Sequence, residues 1–316
     1  MANGFAMEPV RVGVVGVGHI GRHHARIYAS EPVAELVGVY DIDPERSREV
    51  SQGLGARSFD SLEELAAETE AVSVATPTAA HFPVALFLLE QGRHVLVEKP
   101  ISESLSHARK LLETAQRKGC VLQVGHVERF NPIFGVLNEL LREPRFIEAH
   151  RLSPYPGRNT EIGVVLDLMI HDLDIILQLV PHPVARMEAV GVPILSPTED
   201  IANVRLRFAN GCIANLTTSR VSRERMRKIR VFQKDAYLSL NYEEQSGDLY
   251  RKEQNRIVRE PIPVSKEEPL RLELRSFLRC VRQRGSPVVG AKEALGSLRL
   301  AIEITEEIQR SSPVSS

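Results

Sequence analysis

Up to Gly125 the chain alternates short β-rich apolar runs with segments whose apolar positions recur at helical spacing. The pattern predicts strands at Val10 to Val17, Leu36 to Tyr40, Ala71 to Ala75, His94 to Glu98 and Val121 to Val124. Helices are predicted from His19 to Ser30, after Pro44, after Ser61, from His81 to Gln91 and from Ser104 to Lys118, several of them ending at glycine. Strand–helix alternation of this kind builds a doubly wound parallel sheet. Past Gly125 the rhythm changes. One apolar helix, Val164 to Val180, is followed by long strand-like runs at Ile201 to Ala209, Cys212 to Arg220 and Lys228 to Tyr242, and Asn210-Gly211 marks a hairpin between the first two. Helices at Leu270 to Arg284 and Ala291 to Arg310 close the chain. The expected fold class is α/β: a parallel-sheet domain over 1–124, then an α+β domain with a mostly antiparallel sheet over 125–316.

The first strand runs into Gly16-Val17-Gly18-His19-Ile20-Gly21, a helix follows, and the second strand ends at Asp41. In this context Gly16 permits the tight turn, Gly18 lets backbone approach a pyrophosphate, and Gly21 lets the helix pack on the strand. The whole turn, His19 and Ile20 included, is the expected cradle. Asp41 lies about twenty residues past the last glycine, where a carboxylate reads the ribose hydroxyls and repels a 2′-phosphate. The first half is therefore read as a Rossmann domain that takes NAD rather than NADP.

Composition narrows the partners. Forty basic against forty-one acidic residues leave a formal charge of −1, so no global field points to nucleic acid or a membrane surface. Three widely spaced cysteines form no CxxC pair, which suits a reducing compartment. The start, whether Met1 or Met7, resembles no secretory signal, and no apolar run is long enough to span a bilayer. A cytoplasmic protein acting on a small molecule is expected.

Three constellations carry chemistry. In the apolar helix, Asp167, His171, Asp174 and Gln178 recur at spacings of four, three and four, one polar stripe in which an acid sits one turn from a histidine. An ordinary amphipathic face in water has the same spacing. Glu98-Lys99-Pro100 ends a strand at the carboxyl edge of the sheet, where Lys99 can reach a substrate hydroxyl and Glu98 a ribose, although such a pair also suits a solvated loop. Thr76 and Pro77, with His81 beyond, end another strand at the same edge. Further on, His126, Arg129 and Asn131 lie in the crossover, and Tyr155 and Arg158 in a Pro/Gly-rich loop before the polar helix; these and Asp174 are candidate substrate contacts. Arg223, Arg225 and Arg227 suit a diphosphate or a solvated strand edge. Asp167, His171 and His126 are types that bind zinc, but Lys99 offers another way to polarise a hydroxyl, so no metal is expected.

Taken together, Gly16 to Gly21, Glu98-Lys99-Pro100 and Asp167-Leu168-Met169-Ile170-His171 resemble the Gfo/Idh/MocA family over essentially the whole chain. The resemblance implies an NAD-dependent dehydrogenase in which Lys99, Asp167 and His171 flank the nicotinamide and the substrate. Gly125 to Pro132, Arg145 to Ala149 and Val165 to Asp174 are similar to a group within it that oxidises the 3-hydroxyl of UDP-N-acetylglucosamine to a ketone, which an aminotransferase then converts to an amine for lipid A. It implies a nucleotide-sugar substrate and a homodimer or homotetramer. Inositol, a hexose or another nucleotide sugar is the alternative substrate, and a dinucleotide or sugar sensor the alternative role.

Overall fold

A computed structural model of the chain describes residues 8–155, 157 and 161–311. These residues form two compact units, one made of the chain up to His126 together with Leu270–Leu295, the other of Val127–Pro269 together with the chain from Gly296.

The first unit runs β1 (Val10–Val15), α1 (Gly21–Ser30), β2 (Ala34–Tyr40), α2 (Pro44–Leu54), β3 (Arg57–Ser58), α3 (Leu62–Glu68), β4 (Ala71–Val74), α4 (Thr78–Glu90), β5 (His94–Glu98), α5 (Leu105–Lys118) and β6 (Leu122–Gly125). Its six strands lie in the order β3-β2-β1-β4-β5-β6, all parallel. This is the Rossmann order, which reverses between β1 and β4 and opens a crevice beyond their carboxyl ends. Local chemistry fixes the helix starts. Asp43 caps α2 by accepting from the Glu45 and Arg46 N–H groups ahead of Pro44, and Ser61 and Ser104 cap α3 and α5 in the same way.

The second unit opens with a 3₁₀ turn (Val127–Phe130) and α6 (Pro132–Leu140), a segment read from sequence only as a linker. Then come β7 (Phe146–Leu152), a π-helical segment (Val165–Met169), α7 (Ile170–Leu179), and β8 (Val184–Val192) to β14 (Arg256–Pro261) by way of β9 (Ile201–Phe208), β10 (Ile213–Ser219), β11 (Met226–Phe232), β12 (Ala236–Asn241) and β13 (Ser246–Glu253). The sheet order is β14-β13-β12-β11-β7-β10-β9-β8. The sheet is antiparallel except where β7 pairs with β10 in parallel. Gly211, at φ +86°, makes the expected hairpin turn between β9 and β10. Ile147, Ala149, Val204, Leu206, Ala214, Leu216, Ile229 and Val231 line one face and pack on Val165, Met169, Leu173 and Ile176. The arginine run is not the strand edge that its sequence suggests. β11 lies inside the sheet, between β7 and β12, so it is no strand edge; Arg225 and Arg230 face water and pair with Glu243 and Glu148.

The closing helices are α8 (Pro269–Gln283) and α9 (Ala291–Ser311). Helix α8 falls within the part expected to form the second domain, yet Leu274, Phe277, Leu278 and Val281 join Val10, Val12, Val14, Ile27 and Tyr28 in the core of the first unit. Each large apolar side chain so buried contributes roughly 1.5–3 kcal/mol. No helix among the described residues is long and apolar enough to cross a membrane.

Candidate active site

In the first unit the glycine turn is a backbone cradle. Gly16 sits at φ +80°, and a Cβ there would lie 2.8 Å from the Ala75 carbonyl oxygen and the Thr76 nitrogen. A Cβ on Gly21 would meet the Gly16 carbonyl oxygen at 1.8 Å. At Gly18 a Cβ would meet nothing within 4 Å, so no packing inside the chain demands glycine there and the space beside the turn is open. Helix α1 begins behind Ile20 without a side-chain cap and carries no acid in its first turn, which leaves its positive end for an anion. Asp41 Oδ2 accepts from the Val17 N–H at 2.8 Å and Oδ1 from the Asp43 N–H at 2.9 Å, which fixes the carboxylate beside the turn. Thr76 Oγ1 is buried without a protein partner. An uncapped helix end, an open glycine, a fixed carboxylate at the end of β2 and an orphaned hydroxyl at the end of β4 all suit a dinucleotide.

His81 and Glu98, both expected as cofactor contacts, also hold the strand ends in place. The His81 ring nitrogens lie 2.8 Å from the carbonyl oxygens of Pro100 and of Thr76, so the ring ties two strand ends together; burial holds it below the usual histidine range. One nitrogen donates, according to the tautomer. Glu98 Oε1 lies 3.1 Å from His24 Nε2, and Oε2 accepts from the Lys99 N–H at 3.4 Å. A Cβ on Gly125 would come within 2.8 Å of Glu98 Oε1, so that glycine makes room for the carboxylate. Burial pushes Glu98 upward, but the hydrogen bond and charge of His24, with the charge of Lys99, bring it below the usual carboxylate range. Lys99 follows directly, in a cis bond to Pro100. Pattern reading passed over His24, which is fully buried on α1, and Glu273, which α8 brings into this unit with no exposure and no partner for either carboxylate oxygen. Burial and the Glu98 charge push Glu273 well above the usual range.

In the second unit the polar helix is not the uniform stripe that its spacing implied. Val165–Met169 is π-helical, so Asp167 and His171 are not related by one regular α-turn, and π segments of this kind recur at functional sites. Gln178 is exposed, whereas Asp174 is buried and pairs with Arg129 at 3.5 Å. Asp172, off the stripe, forms the strongest anchor: Arg151 of β7 donates to it through Nε at 2.8 Å and Nη2 at 3.1 Å, and through Nη1 to Glu128 Oε1 at 3.1 Å. Burial disfavours charge on Arg151, but Asp172 and Glu128 more than offset that and raise its pKa; burial likewise pushes Asp172 up against the pull of Arg151. Asn131 is committed to scaffold: its amide donates to the Tyr242 carbonyl at 2.9 Å, and its Oδ1 caps α6. Tyr155 is partly exposed, its hydroxyl 3.0 Å from Ser196 Oγ. His126, 2% exposed, closes the first unit, and Arg158 lies outside the described residues.

Residues 10–126 match the oxidoreductase family with an NAD-binding Rossmann fold, and residues 141–239 match the GFO/IDH/MocA C-terminal domain. The chain is 36% identical over 315 residues to the UDP-N-acetylglucosamine 3-dehydrogenase of Acidithiobacillus ferrooxidans, covering 96% of this chain and all of that protein. The chain belongs to the Gfo/Idh/MocA family. It is an NAD-binding oxidoreductase of that family. The solved structure of the Acidithiobacillus enzyme superposes with a TM-score of 0.91 at 35% identity, over 96% of this chain and 99% of that one. The scyllo-inositol 2-dehydrogenase (NAD(+)) of Bacillus subtilis is a more distant member, 25% identical over 96% of both chains.

Proposed function

We propose that this protein oxidises the 3-hydroxyl of UDP-N-acetylglucosamine to a ketone, and that an aminotransferase then converts the product to the amine used in lipid A. The end-to-end likeness to the Acidithiobacillus enzyme carries this reading. Bound NAD supplies the hydride acceptor for the sugar C3 hydrogen. His171 takes the hydroxyl proton, Asp167 orients the imidazole, and Lys99 stabilises the oxygen as its charge develops. Gly16, Gly18, Gly21 and Asp41 hold the dinucleotide, and Arg129 and Asp174 shape the sugar subsite. The three reactive groups come from the family resemblance, and the fixed strand end at Glu98 and the anchored α7 support them.

The open face of the large sheet supports a homo-oligomer. On it Phe146, Phe232, Tyr237 and Tyr250 stack in register across β7, β11, β12 and β13, with ring centroids 5.6, 5.1 and 4.3 Å apart. A second copy of the chain covers such a ladder. Tyr237→Asp should convert the assembly to monomers in analytical ultracentrifugation; an unchanged mass discards this face as the interface.

The deciding experiment is NADH formation with UDP-N-acetylglucosamine, inositol and glucose in parallel, with an aminotransferase and its amino donor present to draw off the ketone. NADH and a 3-amino product from the UDP-sugar alone establish the proposal, and turnover of inositol or glucose instead refutes the substrate. Lys99→Ala and His171→Ala should each lower kcat by ~10²–10⁴-fold while NAD affinity stays within a few-fold.

A further inference from the structure

We propose that Glu199 is a positioning residue for the oxidation: it latches the start of the π-helical segment and so sets where Asp167 stands against His171. This role rests on the proposed assignment of that pair to proton transfer. Val164 begins the segment and offers no side-chain cap of its own. The cap comes from 34 residues beyond Val165. Glu199 accepts twice there, its backbone carbonyl from the Val164 N–H at 3.1 Å and its Oε1 from the Val165 N–H at 3.2 Å. Two of the N–H groups that a helix start leaves unsatisfied are thereby paired, and a carboxylate meets the positive end of the helix. The residue just before is Gly163, and a Cβ on it would overlap the Glu199 carboxylate. A bare backbone at 163 makes the space that the latch fills.

Glu199 is itself held firmly. Its neighbour Asp200 leads into β9 and accepts from Arg220 Nε at 2.7 Å through Oδ1, and through Oδ2 from the Ile194, Leu195 and Ser196 N–H groups at 2.8, 2.6 and 2.9 Å. Arg220, 1% exposed, also donates through Nη2 to Thr198 Oγ1 at 3.0 Å and through Nη1 to the Ile162 carbonyl at 2.6 Å. One buried guanidinium therefore ties the Glu199 turn to the backbone just ahead of Gly163. At the other end α7 is fixed by the Arg151–Asp172 pair and by the burial of Ile170, Leu173 and Ile176. Between these anchors lies one residue more than α-turns accommodate. The Asp167 N–H bonds to the Gly163 carbonyl four residues back, at 3.0 Å, whereas the Ile170 N–H reaches the Val165 carbonyl five residues back. Each residue turns an α-helix by about 100°. A segment released at its start reverts to the commoner α form, and Asp167 then swings by about that angle relative to His171.

The test separates reach from charge in the full-length protein. Glu199→Asp keeps the charge but withdraws the acceptor from the Val165 N–H by one methylene, and Glu199→Gln keeps the reach and an acceptor without the charge. With NAD and the sugar that the unaltered protein oxidises, Glu199→Asp should lower kcat by roughly ten- to hundredfold, the cost of misplacing a reacting group by about 1 Å. KM for the sugar should stay within a few-fold, and Glu199→Gln should restore kcat to near the unaltered value. Gly163→Ala, which drives the carboxylate away with Glu199 intact, should match the loss in Glu199→Asp and add little to it in the same chain. Full kcat in Glu199→Asp overturns the proposal, as does an equal loss in the aspartate and glutamine variants. Hydrogen exchange needs no turnover: the peptide spanning 164–170 should exchange faster in Glu199→Asp, or in Gly163→Ala if the aspartate variant does not fold, than in Glu199→Gln. Equal exchange overturns the latch whatever the substrate. Full turnover by His171→Ala overturns the assignment of the proton pair instead, a failure distinct from that of the latch.

Discussion

Replacing Glu273 by glutamine should make the protein more stable at neutral pH, although it alters a fully buried polar side chain. Neither carboxylate oxygen has a hydrogen-bond partner, the residue has no exposure, and the negative charge of Glu98 is felt from β5. All of this favours the neutral acid in the folded state, whereas the unfolded chain loses that proton at about pH 4.3. A group raised in the folded state stabilises fully only below its unfolded pKa, and folding above it takes up one proton. Stability should therefore fall by up to about 1.4 kcal/mol per pH unit above that point until the folded pKa is passed. Glutamine cannot titrate. Its amide is as poorly partnered as the acid, but that cost is the same at every pH, so the slope is the quantity to read. Glu98, held low by His24, stays ionised over this window, and the lowered His81 and His94 titrate alike in both proteins, so their contributions cancel. Urea unfolding of both proteins from pH 5 to pH 8 measures the difference. Parallel curves would refute the reasoning, because they require Glu273 to be ionised in the fold or to hold its proton equally in the unfolded chain.

Arg151→Met should destabilise by about 3–5 kcal/mol in urea unfolding, because Asp172 and Glu128 would be left buried without their shared counter-charge; a loss under 1 kcal/mol would mean that the two acids find other partners. Gly125→Ala should cost about 1–3 kcal/mol through the clash with the Glu98 carboxylate, and thermal unfolding will show whether that side chain gives way without cost instead. Asp200 accepts from Arg220 Nε at 2.7 Å and from the Ile194, Leu195 and Ser196 N–H groups, and although burial opposes its charge these bonds hold it well below the usual range. It stabilises above the unfolded carboxyl pKa and loses that contribution as pH falls through its folded value. Asp200→Asn should accordingly be less stable at neutral pH and lose stability less steeply with acid, which acid titration followed by circular dichroism checks.

The parallel sheet was legible because its periodicity changes sharply between strand and helix: all five expected strands form, with His94–Glu98 at the expected bounds. What escaped has physical reasons. Strand β3 is two residues long, too short to show any period. Helix α6 was announced by Asn131 as cap and Pro132 in the first turn, yet the polar residues just before it made the segment look like a linker. The amphipathic pattern of α8 shows that one face is buried but carries no information about which core receives it, and so a sequence boundary at 125 leaves out the return of the chain to the first unit.

The site divides along similar lines. Gly16, Gly18, Gly21 and Asp41 stand out in the sequence because their spacing falls within one strand–turn–helix–strand unit, and Gly16 and Gly21 answer a local backbone demand there. Arg151, Asp172, Glu128, His24 and Glu273 do not, because hydropathy patterning treats a charged residue as a mark of the solvated face. Arg151 alternates with apolar neighbours on β7 as though turned to the core, and only Asp172 and Glu128, 21 and 23 residues away in the chain, make that burial tolerable. A charge that violates the binary pattern of its own element therefore signals a distant partner before the partner can be named. Glu273, with Leu274 and Phe277 beside it on the buried face of α8, breaks the same pattern without gaining a countercharge, and there the fold favours the neutral acid instead of a partner.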